Sequence, residues 1–259
     1  MPTDPAARPH CPPERYRVLA VGGRDAAAFL QGQLTRDVLV LDAGATGLAA
    51  LLTPQGRVIA APWLARAGAG YALALPPELA EPVRARLARY VLRAKVSLTV
   101  EALSPALAAL IAAAVGDHAD DGPAAGADGR FALALVRAGL AEVGLAASEE
   151  WIPQMLNLDL VGAISFQKGC YTGQEIVART QHLGRIKRRM FRLATAAPPP
   201  AVKAAVHADG HKVGEVVLAA RTASGAECLA VLNLDARALP LALEDGAPCQ
   251  LLPLPYALG

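Results

Sequence analysis

The chain has 259 residues, enough for two or three domains, and 54% of them are hydrophobic but only 4% aromatic, so Ala, Leu and Val must fill the core. A net charge of +2 singles out no nucleic-acid partner. No run reaches the roughly 18–20 apolar residues of a membrane span, since the nearest, Ala106 to Val115, is cut off by Pro105 and Gly116.

Residues 1–13 read as a disordered, Pro-rich lead without the basic and apolar regions of a secretory signal, so a cytoplasmic protein is expected. A first strand, Tyr16 to Val21, ends at Gly22-Gly23, and Asp25 is placed to cap a helix through Phe29, Leu30 and Leu34. Gly47 to Leu52, the turn Pro54-Gln55-Gly56, Arg57 to Ala65, a Gly68/Gly70 turn and Tyr71 to Leu75 form an antiparallel meander. Pro76-Pro77 then opens a helix with Leu79, Val83, Leu87, Tyr90 and Val91 at steps of three and four, followed by a strand, Ser97 to Glu101.

Gly116 to Arg130 has the composition of a surface loop, and Phe131 to Val136 resembles a buried strand. From Arg188 onward short β-rich runs (Met190 to Ala194, Val213 to Ala219, Glu227 to Leu232, Cys249 to Leu252) alternate with turn residues, the pattern of a small barrel or sandwich. A mixed front half and an all-β tail define an α+β chain.

The most informative segment is Phe166-Gln167-Lys168-Gly169-Cys170-Tyr171-Thr172-Gly173-Gln174-Glu175. Thr172 and Glu175 have capping-box spacing, so a helix is expected to start after Thr172 with Cys170 just outside its N-terminus. There the helix dipole and Lys168 would favour a thiolate, the form that attacks electrophiles and binds metals. Gly169 and Gly173 leave room for a partner to approach. The competing reading is a small buried hydrophobe in a turn. One thiol cannot hold an iron–sulfur cluster alone, so any cluster would be shared with a second molecule.

The other cysteines, Cys11, Cys228 and Cys249, form no CxxC pair, and Cys228 and Cys249 read as core. His207 and His211 flank a hairpin turn at Asp209-Gly210 and read as surface residues, so no complete metal site is expected. Arg179, Arg185, Lys187, Arg188, Arg189 and Arg192 could hold an anionic tail or tRNA, or could be a solvated connector. Asp25, Asp37 and Asp159 read as capping or loop residues, with ligand contact as the alternative.

Lys168 to Glu175, with Phe166 before it and Ile176-Val177-Ala178-Arg179 after it, resembles the signature of the YgfZ family of folate-binding proteins related to the glycine-cleavage T-protein. Phe29 to Thr35 with Asp37, Leu52 to Arg57, Ile152-Pro153-Gln154 with Asn157-Leu158, and Leu252 to Tyr256 are similar to that family in the same order.

The resemblance implies two α/β domains and a C-terminal small β-barrel around a central pocket. The implied division is a discontinuous folate-binding domain (14–53 plus 125–185), an inserted ferredoxin-like domain (54–124) and the barrel (186–259). It implies tetrahydrofolate or a derivative as cofactor, with Tyr16 and Phe131 bordering it and Gln154 and Asn157 lining its pocket. It further implies a transient shared iron–sulfur cluster, and iron–sulfur assembly proteins or client iron–sulfur enzymes, including tRNA methylthiolases, as partners of Cys170. Two alternatives stand beside this: a folate-dependent aminomethyltransferase and a tRNA-binding module. The positions that carry an acidic pair in T-proteins are here Ala60 and Ala61, which speaks against aminomethyl transfer.

Overall fold

A computed structural model describes residues 10–116, 126–182 and 184–258. Its elements are β1 (Arg17–Gly22), α1 (Ala26–Gln31), β2 (Thr46–Leu48), β3 (Leu51–Leu52), β4 (Val58–Ala60), β5 (Trp63–Ala67), β6 (Gly70–Leu75), α2 (Pro77–Val91), β7 (Ser97–Ala102), α3 (Pro105–Val115), α4 (Gly126–Ala138) and α5 (Gln174–His182). The C-terminal part adds β8 (Arg188–Thr195), β9 (Ala205–Ala208), β10 (His211–Thr222), β11 (Gly225–Asn233), β12 (Leu241–Leu243) and β13 (Pro248–Leu252).

The front part is built on a five-stranded antiparallel sheet of order β2-β5-β6-β1-β7. Alternation along its strands sends large and small residues to opposite faces. Leu19, Val21, Leu64, Leu73 and Leu75 pack with Leu30 of α1 and Leu79, Val83 and Leu87 of α2. Val18, Ala65, Ala72 and Ala74 face the other way, where small side chains let α3 and α4 approach. The sheet joins β1 and β2 to β5, β6 and β7. The C-terminal strands close into a six-stranded barrel of order β10-β11-β8-β13-β12-β9. Cys228, Ala230 and Leu232 of β11 point into it, while Leu229 and Val231 point outward against the core that contains α4.

Four expectations change. Phe131 to Val136, read as a buried strand, is the middle of α4. This helix lies between the sheet and the outer wall of the barrel, so Phe131, Ala132, Leu133, Ala134, Leu135 and Val136 are all buried and the polar stripe that marks a helix is missing. Asp25 stands at the N-cap of α1, which ends at Gln31, but its side chain makes no capping bond; its carboxylate accepts the Lys95 N–H at 2.7 Å instead. The meander strands break at Ala49-Ala50 and Ala61-Pro62, giving a separate β3–β4 pair. Of the lead expected to be disordered, residues 1–9 lie outside the described residues, but Cys11 is packed in the core. There burial pushes its thiol up to about 12.

Candidate functional site

Two segments build the site. The first, residues 31–37, leaves α1 and turns on Asp37, whose Oδ1 accepts the Gln31 side-chain amide (2.9 Å) and the Leu39 N–H (3.0 Å). Thr35, the last residue of the 29–35 segment, ties it down: its hydroxyl donates to Ala163 O (2.7 Å) and accepts the Ala50 N–H (2.8 Å). The second segment, residues 165–174, runs against the first. Ser165 N–H bonds Thr35 O, and Thr172 N–H bonds Gly32 O.

Cys170 is exposed at the apex of this second segment. Gly169 beside it is exposed, and a Cβ there would meet nothing within 4 Å. Tyr171 and Lys168 turn inward. The Lys168 ammonium donates to Leu34 O (2.6 Å) and Arg36 O (2.9 Å) and lies 5.1 Å from the centre of the Tyr171 ring. Sequence reasoning gave Lys168 the task of lowering the thiol's charge cost; its donors point to backbone carbonyls instead. Such acceptors have no sequence signature.

Helix α5 starts at Gln174, close to the expected point. The bond that closes its entry is from Tyr171 N–H to Gln174 Oε1 (3.3 Å), so Gln174 rather than Glu175 provides the capping side chain. Gly173 has φ +82°, and a Cβ there would lie 2.6 Å from Thr53 O; across the contact, a Cβ on Gly56 (φ +72°) would lie 2.8 Å from Ile176 Cβ. The 53–56 turn therefore rests on the start of α5 because both positions lack a side chain. Gly173→Ala is expected to cost about 2 kcal/mol or more, from left-handed strain plus the clash, and a denaturant titration checks this.

Burial lowers the Lys168 pKa to about 8 from an ordinary 10.5, against the raising influence of Asp37. The unfolded chain then binds more protons between about pH 8 and 10.5, so this residue's contribution to stability rises with pH across that window. The unfolding free energy of the wild type relative to Lys168→Met is expected to grow by up to about 3 kcal/mol from the lower to the upper limit, measured in urea at several pH values.

The residues expected around a cofactor are enclosed. Tyr16 is 2% exposed and Phe131 0%, and their rings meet edge to face at 6.4 Å. The Tyr16 hydroxyl donates to Glu142 (2.5 Å) and accepts a hydrogen bond from Trp63; burial first, then Glu142, raises its pKa well above the ordinary value. Arg15 pairs with Glu142 and Asp128, and its guanidinium lies 5.6 Å from the Phe131 ring centre. Gln154 and Asn157 lie at the Pro153–Leu156 turn, fully buried. Gln154 Nε2 donates to Val177 O of α5, and Asn157 Nδ2 donates to Met190 O and the Tyr256 hydroxyl. Gln154 Oε1 and Asn157 Oδ1 have no hydrogen-bond partner among the described residues. Tyr171, Tyr16, Phe131 and Leu156 belong to one hydrophobic core.

The basic run divides. Arg189 makes a buried two-pronged pair with Asp159, and Arg192 binds Glu227, so these two cations support the barrel. Asp37 has the loop role read for it, whereas Asp159, read as a capping or loop residue, is the buried partner of Arg189. Arg179, Arg185, Lys187 and Arg188 are exposed. His207 and His211 sit on either side of the β9–β10 turn, and among the described residues no group of three or more His, Cys, Asp or Glu could hold a metal. No helix among the described residues is long and apolar enough to cross a membrane.

The sheet with helices on both faces and a closed barrel docked through α4 defines a T-protein-like fold. The glycine cleavage system aminomethyltransferase T from Bartonella henselae superposes with a TM-score of 0.69 at 15% identity, over 95% of this chain and 86% of that one. No family model matches the chain. It is 32% identical over 215 aligned positions to the tRNA-modifying protein YgfZ of Vibrio atlanticus (strain LGP32), covering 68% of this chain and 66% of that protein, just under two thirds of its length. A protein of Haemophilus influenzae matches at 32% over 196 positions (68% and 70%), and the tRNA-modifying protein YgfZ of Sodalis glossinidius at 27% over 302 positions (95% and 92%). The chain belongs to the YgfZ family.

Proposed function

We propose that this protein is a cytoplasmic, folate-binding accessory factor that assists assembly or repair of iron–sulfur enzymes, tRNA-modifying ones among them, through the thiol of Cys170. The observation that carries the reading is the presentation of that thiol: Cys170 is exposed at a tethered apex, while Cys11 and Cys228 are buried and Cys249 is half-buried. The names of the relatives support a link to tRNA modification. A single sulfur meets a cluster only as one ligand shared with a partner.

For folate, the fit rests on acceptors rather than rings. A buried oxygen without a hydrogen bond costs about 1–3 kcal/mol, and Gln154 Oε1 and Asn157 Oδ1 are two such atoms on one turn. A pterin carries amino and ring N–H donors that match them, and would supply one-carbon or redox chemistry when bound. Both oxygens are closed to solvent, so binding there entails displacement of the packing around residues 153–157. Tyr16 and Phe131 would then act as the wall of the pocket. In calorimetric titration with tetrahydrofolate, Gln154→Met is expected to weaken binding about tenfold or more through loss of the acceptor. Equal affinity of variant and wild type would remove Gln154 from the site, and no binding by the wild type would remove folate.

Aminomethyl transfer is disfavoured because Ala60 and Ala61 are buried, small and without acid–base capacity. Binding of tRNA through the basic run is disfavoured because Arg189 and Arg192 are engaged internally.

A further inference from the structure

We infer that Lys168 is the positioning residue of the Cys170 loop, its amino group clamped on the Leu34 and Arg36 carbonyls so that the apex bearing the thiol is held against residues 31–37. The loop is fixed on both flanks. Before the apex there are the Ser165 N–H to Thr35 O bond and the two bonds from Lys168 Nζ. After it come the bonds from Tyr171 N–H to Gln174 and from Thr172 N–H to Gly32 O. Among the described residues, no hydrogen bond is recorded for Gly169 or Cys170, so the place of the sulfur depends on its neighbours.

Lys168 is the nearer anchor on the N-terminal side and, among the described residues, the only side chain that reaches from this loop to the 34–36 backbone. Its surroundings explain why a lysine serves. Among the described residues it has no carboxylate within ion-pair distance, and the Asp37 carboxylate that faces it is engaged by Gln31 and Leu39. The remaining facing group is the Tyr171 ring, whose hydroxyl burial pushes up to about 12. A flexible stem with a multi-donor head can bridge two carbonyls that lie two residues apart in the chain, which a methionine of similar length cannot.

The functional consequence rests on the reading of Cys170 as the working thiol, but the geometry is tested without it. A nitroxide attached to Cys170, in a Cys249→Ser background because the other two thiols are buried, reports the motion of the apex on the nanosecond scale. The expected result is a restricted spectrum in this background and a severalfold shorter correlation time in Lys168→Met, with unfolding still cooperative. Lys187→Met, at an exposed site, should leave the spectrum unchanged. An unchanged spectrum in Lys168→Met overturns the proposal. If Lys168→Met does not fold, Lys168→Gln, whose amide can reach one carbonyl, decides by the same spectrum. A Cys170→Ser protein that remains fully active in cells would remove the functional reading and leave this inference standing.

Discussion

A Cys170→Ser variant is expected to lose all ability to restore iron–sulfur enzyme activity in cells lacking the protein, while its melting temperature and tetrahydrofolate affinity stay at wild-type values. The two halves of this expectation have one cause. The sulfur is exposed, so removing it deletes no core contact and opens no cavity, and surface changes of this kind usually alter stability by no more than about 0.5 kcal/mol. Its chemistry, by contrast, has no substitute: serine is not ionised at neutral pH and is a poor ligand for soft metals. Complementation in a deletion strain, run beside thermal unfolding and calorimetry, gives all three readings. Full rescue by the serine variant would end the thiol hypothesis, whereas loss of rescue with lost folding would say nothing specific about sulfur, which is why the unfolding curve belongs to the test.

The largest effect on stability is expected from Glu227→Ala. Glu227 of β11 binds Arg137 of α4 through Oε1 (3.0 and 3.2 Å) and Arg192 of β8 through Oε2 (2.8 and 2.6 Å). All three side chains are largely buried. Removing the carboxylate takes away the counter-charge that Arg137 and Arg192 share and leaves the buried Arg192 guanidinium without its carboxylate partner. Breaking a buried ion pair by deleting one partner typically costs about 3–5 kcal/mol, more than the pair itself contributes, because the surviving charges stay desolvated. For a chain of this size, each kcal/mol is worth roughly 2–4 °C, so the melting temperature should fall by about 10 °C. Glu227→Gln, which keeps the volume and two acceptor or donor positions, should lose less. Equal melting temperatures for the alanine variant and the wild type would mean that solvent reaches both arginines.

What could be read in the sequence was what has a period or a punctuation mark. The steps of three and four in α2, the Gly and Pro turns of the meander, and the Asp209-Gly210 hairpin each have a local cause, and each matches its element. The strands β9 and β12, with four and three residues, are too short to show alternation. Helix α4 has no readable period, because period detection needs one dry and one wet face and α4 has neighbours on both sides. At the site the same division holds. Gly169 beside Cys170 announced an accessible sulfur, whereas the room read at Gly173 is taken by the 53–56 turn. The direction of Lys168, the pairing of Tyr16 with Glu142 and the orphaned oxygens of Gln154 and Asn157 depend on residues distant in the chain or on main-chain atoms, which no spacing rule encodes.

The position of α4 also says how the chain can be handled. One surface of this helix completes the interior of the sheet region and another completes the outside of the barrel, so neither half owns it. A fragment ending near residue 185 would leave a greasy furrow where Val217, Leu229 and Val231 had been, and an isolated barrel would carry the matching stripe on its skin. Neither piece should remain monodisperse when made alone; mixing them during refolding is the route by which a split version of the protein would regain solubility.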